Sequence, residues 1–310
     1  LGDVYKRQVF GSFVVDLMGR TPHLPASGET VKGSMFRMGP GGKGFNQGVA
    51  AHKAGANVTM VTKLGRDAFG QVAQDTMQEL GMSSEYLLFS EDTETGCALI
   101  MVDENTSQNK IVVISGACGT ITNEDVERLA PLMDGAEYLL TQLETNISSI
   151  DRAVRLAYEK GVKVILNPAP VQPVKDVLLS MVDLVTPNEV EAEIMTGIPV
   201  SDKAAADQAA KWFMDRGVKK VLITLGSRGV YIHDGIKSGI LPAYRVKALD
   251  TTGAGDAFNG GLLTALSEGK DLWEAAVFAN ALAALSVQKL GTTVSMPLRK
   301  EIDAFLAEHK

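Results

Sequence analysis

The chain has 310 residues, 45% hydrophobic and 22% charged, a composition that fits one large buried core and argues against a fibrous or disordered protein. A formal net charge of -7 argues against a broad nucleic-acid surface while leaving room for a local phosphate pocket, so the expected partner is a small molecule. Cys97 and Cys118 lack C-x-x-C spacing, which speaks against a disulfide framework or zinc site and for buried, reduced thiols in a cytoplasmic protein.

The first eight residues, L-G-D-V-Y-K-R-Q, have no Met and no apolar signal core, and are set aside as a non-native leader ahead of one domain over 9–310. A β-branched run over 9–15 reads as the first strand. Residues 28–38 then alternate apolar and polar without a helix to follow. Next come a helix over 43–54, a strand over 57–62 and a helix over 67–80, before a second alternating segment over 95–114. Strands over 137–142, 163–167, 183–188 and 219–225 are interleaved with helices over 147–160 and 202–216. Two small-residue-rich helices, 254–267 and 272–288, close the pattern, and residues 299–310 read as a solvated amphipathic helix.

This alternation predicts an α/β fold: a doubly wound, mostly parallel central sheet flanked by helices. The two alternating segments predict a small antiparallel β-flap, a lid formed from about 14–40 and 95–115, of the kind that covers a ligand. The apolar run over 275–287 contains Asn280 and is too short to cross a bilayer, so no membrane partner is expected.

In such sheets ligands collect at the carboxyl ends of strands. Asp16, Gln142 with Glu144, Asn167, Asn188 with Glu191, and the turn 226–229 all fall there. The stretch G-P-G-G-K-G over 39–44 satisfies G-x-G-x-x-G by spacing alone, since the preceding M-F-R-M is a poor buried strand and no suitable acidic residue ends a second strand about 20 residues on, and Lys43 is followed by Gly44, which breaks the P-loop pattern. D-T-T-G-A-G-D over 250–256 is more telling. Asp256 at a helix start is either an N-cap or a base beside an anion hole formed by free N–H groups. The four histidines are dispersed and match no triad or metal pattern, and Trp212 with Phe213 fits core packing.

The ordered set G-S-x-x-x-D, P-x-x-G-E-T, G-G-K-G-x-N-Q, T-G-x-A-L-I, Q-L-E, N-P-A-P, T-P-N-E-x-E-A-E, T-L-G-S-R-G and D-T-T-G-A-G-D-A-F-N-G resembles the ribokinase-like carbohydrate kinases from about Val9 to Phe305. The resemblance implies ATP-dependent phosphorylation of a sugar hydroxyl, with the 5-hydroxyl of D-ribose first and deoxyribose, fructose, another ketose or a nucleoside as alternatives. A non-catalytic binding regulator is the alternative of another class. Asp256 would be the base and Gly253, Ala254 and Gly255 the anion hole. Val14, Asp16, Gly42, Lys43, Gly44, Asn46 and Glu144 would surround the sugar, and Asn188, Thr224, Gly226, Ser227, Gly229, Gly255 and Asn280 the ATP. The resemblance further implies Mg2+ at Asn188 and Glu191, and a monovalent cation, K+, at Asp250, Thr252, Ser286, Lys289, Gly291 and Ser295. It also implies a homodimer formed through the lid. One position departs from the pattern: Val14 stands where these kinases commonly carry Asn, and valine cannot hydrogen-bond a hydroxyl.

Overall fold

Leu139 and Leu140 are neighbours in sequence and both fully buried, yet they enter different hydrophobic cores. The pairs Ile165 and Leu166, Leu184 and Val185, and Leu222 and Ile223 divide in the same way. Successive strand residues point to opposite faces, so this pattern requires a sheet covered on both sides.

The computed structural model describes residues 6–106 and 108–309. In chain order the strands are β1 (Lys6–Phe10), β2 (Val14–Thr21), β3 (Met35–Gly41), β4 (Val58–Val61), β5 (Lys63–Gly65), β6 (Leu88–Ser90), β7 (Thr95–Asp103), β8 (Asn109–Gly116), β9 (Ala136–Gln142), β10 (Lys163–Asn167), β11 (Leu184–Val185), β12 (Lys220–Thr224), β13 (Val230–His233) and β14 (Ser238–Leu241). The helices are α1 (Lys43–Lys53), α2 (Ala68–Leu80), α3 (Asn123–Arg128), α4 (Ala130–Met133), α5 (Ile147–Glu159), α6 (Asp176–Leu179), α7 (Glu189–Thr196), α8 (Lys203–Met214), α9 (Ala254–Ser267), α10 (Leu272–Ser286) and α11 (Arg299–Glu308).

The central sheet has eight strands in the order β14-β13-β12-β11-β10-β9-β1-β4. Pairing is parallel from β4 to β12 and antiparallel through β13 and β14. One face packs on α1, α2, α9, α10 and α11, the other on α3 to α8. The chain leaves β1 toward β4 and later returns as β9 on the other side of β1. That reversal opens a crevice above the carboxyl ends of β1 and β9, where ligands bind in doubly wound sheets. No helix among the described residues is long and apolar enough to cross a membrane.

The expected lid is a separate four-stranded sheet, β3-β2-β7-β8, antiparallel except for the central β2–β7 pair. Three boundaries differ clearly from the sequence reading, the first being the strand expected over 183–188, of which only Leu184–Val185 forms β11. Residues 9–15 form parts of two strands, because the Ser12 carbonyl accepts from Phe45 N at 2.9 Å at the start of α1 and so leaves the ladder. The chain crosses there from the central sheet to the lid. β1 also begins at Lys6, three residues ahead of the expected domain start: Gln8 is buried and donates to the Leu132 carbonyl at 3.0 Å. Cys118 is buried as expected, while Cys97 in the lid is only half-buried.

Candidate active site

The first turn of α9 is left open by its glycines. Gly253 sits at φ 77°, a left-handed conformation suited to glycine, and a Cβ on Gly255 would meet nothing within 4 Å. Asp256 is buried in that turn but makes no capping bond to its own helix. Its Oδ2 accepts from Asn46 Nδ2 at 3.1 Å and its Oδ1 from Gln47 Nε2 at 2.9 Å, both on α1. The capping role is therefore not the one this carboxylate plays. Burial pushes its pKa up, opposed by the Lys43 charge and the two amide donors.

Close approach of α1 to the β1–β2 crossover explains the glycines at 42 and 44. Gly42 has φ 90°, and a Cβ on Gly44 would fall 2.7 Å from the Gly11 backbone. A Cβ on Gly41 would overlap the Asp16 carboxylate at 2.3 Å. Glu144, in the loop after β9, accepts from Lys43 N at 2.8 Å and from the Ser12 hydroxyl, which ties the two sides of the crevice together.

Two cavities meet this region. The smaller, about 150 Å³, is lined by polar groups that include Lys43, Asn188, Glu191, Thr224, Asp256 and the backbone of Gly253 to Gly255. Burial depresses the Lys43 ammonium pKa, but the Asp256, Glu144 and Glu191 carboxylates outweigh it, so the net shift is upward and the site retains a cation. Burial raises the Glu191 carboxyl, partly offset by the Asn188 N–H and by Lys43. Asn188 and Glu191 form a reciprocal capping box on α7 with bonds of 2.7 and 2.8 Å, which fixes both at the cavity wall.

The larger cavity, about 440 Å³, lies between the lid and the loops around Asp250 and Thr292. Asp16, Met18 and Arg20 line it from alternate positions of β2. Burial, then Glu144 and Asp256, push the Asp16 carboxyl up to about 6. Val14 continues the same β2 row inward, 2% exposed and paired with Gly41 and Gly96. Asn46 is held by Thr293, whose hydroxyl donates to its Oδ1 at 2.8 Å.

The structure thus brings together Asp16, Gly42, Lys43, Gly44, Asn46, Glu144 and the Gly253–Asp256 turn around one crevice. Of the other expected residues, Asn188, Glu191 and Thr224 line the smaller cavity and Asp250, Thr252 and Gly291 the larger, while Asn280, Ser286, Lys289 and Ser295 line neither. Thr224 is bridged to Asn188, and Gly226, Ser227 and Gly229 form the turn just beyond it without lining either cavity. A Cβ on Gly229 would lie 2.0 Å from the Leu241 carbonyl, so that glycine is required by β14 packing. Asn280 on α10 donates to the Pro242 carbonyl at 2.8 Å. Asp250 accepts from Thr252 N at 2.9 Å and Gly291 N at 3.0 Å. The Ser286, Ser295 and Lys289 side chains bond elsewhere, to Ala283 O, Thr292 O and Glu301. Among the described residues no group of three or more His, Cys, Asp or Glu could hold a metal ion.

Sequence reasoning did not assign Gln47, Thr186 or Asn259. Thr186 donates to Asn259 Oδ1 at 2.6 Å, and Asn259 Nδ2 donates to the Gly255 carbonyl at 2.9 Å, bracing the open turn. Asn259 follows Gly255 by four residues, a helical spacing that is the only local signal for this bond.

The family model for "pfkB family carbohydrate kinase" matches residues 6–299. The chain is 42% identical over 301 residues to the ribokinase of Haemophilus influenzae, covering 97% of this chain and 98% of that protein. It is 35% identical over 300 residues to the deoxyribokinase of Salmonella typhimurium, with coverages of 96% and 98%. The solved structure of Arabidopsis thaliana ribokinase complexed with ribose and ATP superimposes with a TM-score of 0.89 at 30% identity, over 98% of this chain and 99% of that one.

Proposed function

The chain belongs to the pfkB family of carbohydrate kinases, and we propose on that footing that it phosphorylates the 5-hydroxyl of D-ribose with ATP, using Asp256 as the general base. The observation that carries the catalytic assignment is a buried carboxylate at the open turn of α9, gripped on both oxygens by α1 amides. Asp256 takes the hydroxyl proton, and the oxygen attacks the γ-phosphorus in line. The N–H groups of Gly253 and Gly255 stabilise the charge that develops on the phosphoryl oxygens, Ala254 N being bonded to the Thr251 carbonyl at 3.2 Å, while Lys43 adds a fixed positive charge. A mere sugar- or nucleotide-binding regulator has no use for a desolvated base beside an anion hole.

Asp16, Asn46 and Glu144, with the Gly42–Gly44 backbone, form the sugar side; Asn188, Thr224 and the 226–229 turn form the nucleotide side. Asn188 and Glu191 fit a magnesium ion, because a desolvated carboxylate faces the cavity with room for water ligands. When bound, the metal neutralises charge on the nucleotide phosphates. Asp250 fits a potassium site: its carboxylate anchors the Thr252 and Gly291 backbone, whose carbonyl oxygens would supply ligands suited to a hard cation.

The Val14 position and the deoxyribokinase relative favour deoxyribose as a second substrate. On the lid, Met38, Leu17, Leu99 and Val112 form one cross-strand row in which three of the four are exposed, and it supports a homodimer through the lid. The two free thiols fit a cytoplasmic protein. A coupled ADP-release assay over a panel of ribose, deoxyribose, fructose and nucleosides tests the reading. Ribose is expected to give the highest kcat/KM, and no sugar-dependent ADP release at all would refute a kinase.

A further inference from the structure

Behind Asp256 lies a chain of buried amides whose Asn167 end lines the smaller cavity and whose Gln142 end lines neither cavity. Gln142, the last residue of β9, donates from Nε2 to Gln47 Oε1 at 2.6 Å. Gln47 Nε2 donates to Asp256 Oδ1 at 2.9 Å and to Asn167 Oδ1 at 3.0 Å. Asn167 Nδ2 donates to the Thr186 carbonyl at 2.9 Å. Gln47 and Gln142 are 0% and 1% exposed and line neither cavity.

The direction of every bond in this chain is forced. An ionised carboxylate and a backbone carbonyl only accept, so the Asp256 end fixes the Gln47 amide and the Thr186 end fixes the Asn167 amide. Gln47 must then present its oxygen to Gln142, which must answer with its N–H. Gln142 meets that demand at a cost, for its own Oε1 accepts no hydrogen bond among the described residues. Gly11 makes the space, since a Cβ there would fall 2.1 Å from that oxygen. Stability alone does not favour an orphaned buried oxygen housed by a glycine.

We infer that Gln47, locked by Gln142 behind it, is a positioning residue that orients the Asp256 carboxylate and leaves its free lone pairs aimed at the acceptor hydroxyl. The inference rests on Asp256 being the base. Neutral N–H donors keep the carboxylate anionic against burial without cancelling its charge as an ammonium would. The charged groups facing Asp256 are Lys43 on α1, Glu144 after β9, Glu191 on α7 and Asp16 on β2, and none of them is altered by substitution at 47 or 142.

Gln142→Met and Gln47→Met preserve length and remove the donor. Both are expected to move the acidic limb of kcat, read at saturating sugar so that the Asp16 effect on KM does not enter, to higher pH, and Gln47→Met to lower kcat about 10²-fold, the scale of a misplaced reacting group. KM for ATP stays within about twofold. The double variant is no worse than Gln47→Met alone, because the two act through one bond. In the unmutated protein the Gln47 side-chain nitrogen resonance shifts with the midpoint of that limb. Folded variants with an unmoved limb, or an amide resonance that does not titrate with it, overturn the positioning role. An unmutated protein that releases no ADP with any sugar would instead overturn the kinase reading.

Discussion

Burial beside Glu144 and Asp256 raises the Asp16 carboxyl from 3.8 to about 6, and the sign of its effect on stability follows. The folded state holds this proton more tightly than the unfolded chain, so stability is lost as pH rises from about 4 through about 6. The shift of about two units corresponds to a cost on the order of 3 kcal/mol at neutral pH. Asp16→Asn is therefore expected to raise Tm at pH 7.5 while weakening sugar binding, which calorimetry and KM together would detect. An unchanged Tm would mean that the ionised group is not strained in the fold. In the unmutated protein, KM for the sugar should climb as pH falls below about 6. Val14 belongs to the same β2 face, and Val14→Asn is expected to raise the preference for ribose over deoxyribose, since a polar contact rejects an analogue that lacks its partner. A kcat/KM ratio for the two sugars that does not move would remove Val14 from specificity. At this scale the sequence was legible for Asp256, whose glycines sit beside it in D-T-T-G-A-G-D. It was not legible for Gln47, whose partners Gln142, Asn167 and Asp256 come together only on folding.

Helices α1 and α9 carry the two halves of the base assembly and approach closely at Gly260, against Ala50 and the Gln47 backbone. A Cβ there would lie 2.5 Å from Ala50 Cβ and 2.7 Å from the Gln47 carbonyl. Gly260→Ala should separate the helices, cost about 1–3 kcal/mol by overpacking, and lower kcat by shifting Gln47 from Asp256. A variant with unchanged Tm and kcat would show that this contact is not needed. The expected helices agree with the structure within about two residues at each end, because their apolar stripes and caps are local. Asp67 and Asp202 accept from the N–H groups of Gly70 and Ala205, and a capping box opens α10. The 9–15 segment read as one strand because β propensity continues through it, whereas the break at Ser12 depends on Phe45, thirty-three residues away.

Across the whole molecule, α/β alternation made the two-faced sheet legible, because strands covered on both sides cannot show polar alternation. The lid was legible as two segments, but its central parallel pairing of β2 with β7 was not, since pairing order has no local mark. Its apolar row predicts that Leu99→Lys converts a dimer to a species near 33.0 kDa by light scattering; an unmutated protein already at that mass would contradict the lid interface. The central claim is that ATP and ribose react at Asp256. Phosphorus NMR of ATP, magnesium and ribose with the unmutated protein and with Asp256→Asn tests it most directly. The account predicts ribose 5-phosphate from the first, and from the second a folded protein that binds ATP yet turns over at least about 10³-fold more slowly. An Asp256→Asn protein that forms ribose 5-phosphate at the unmutated rate would contradict it.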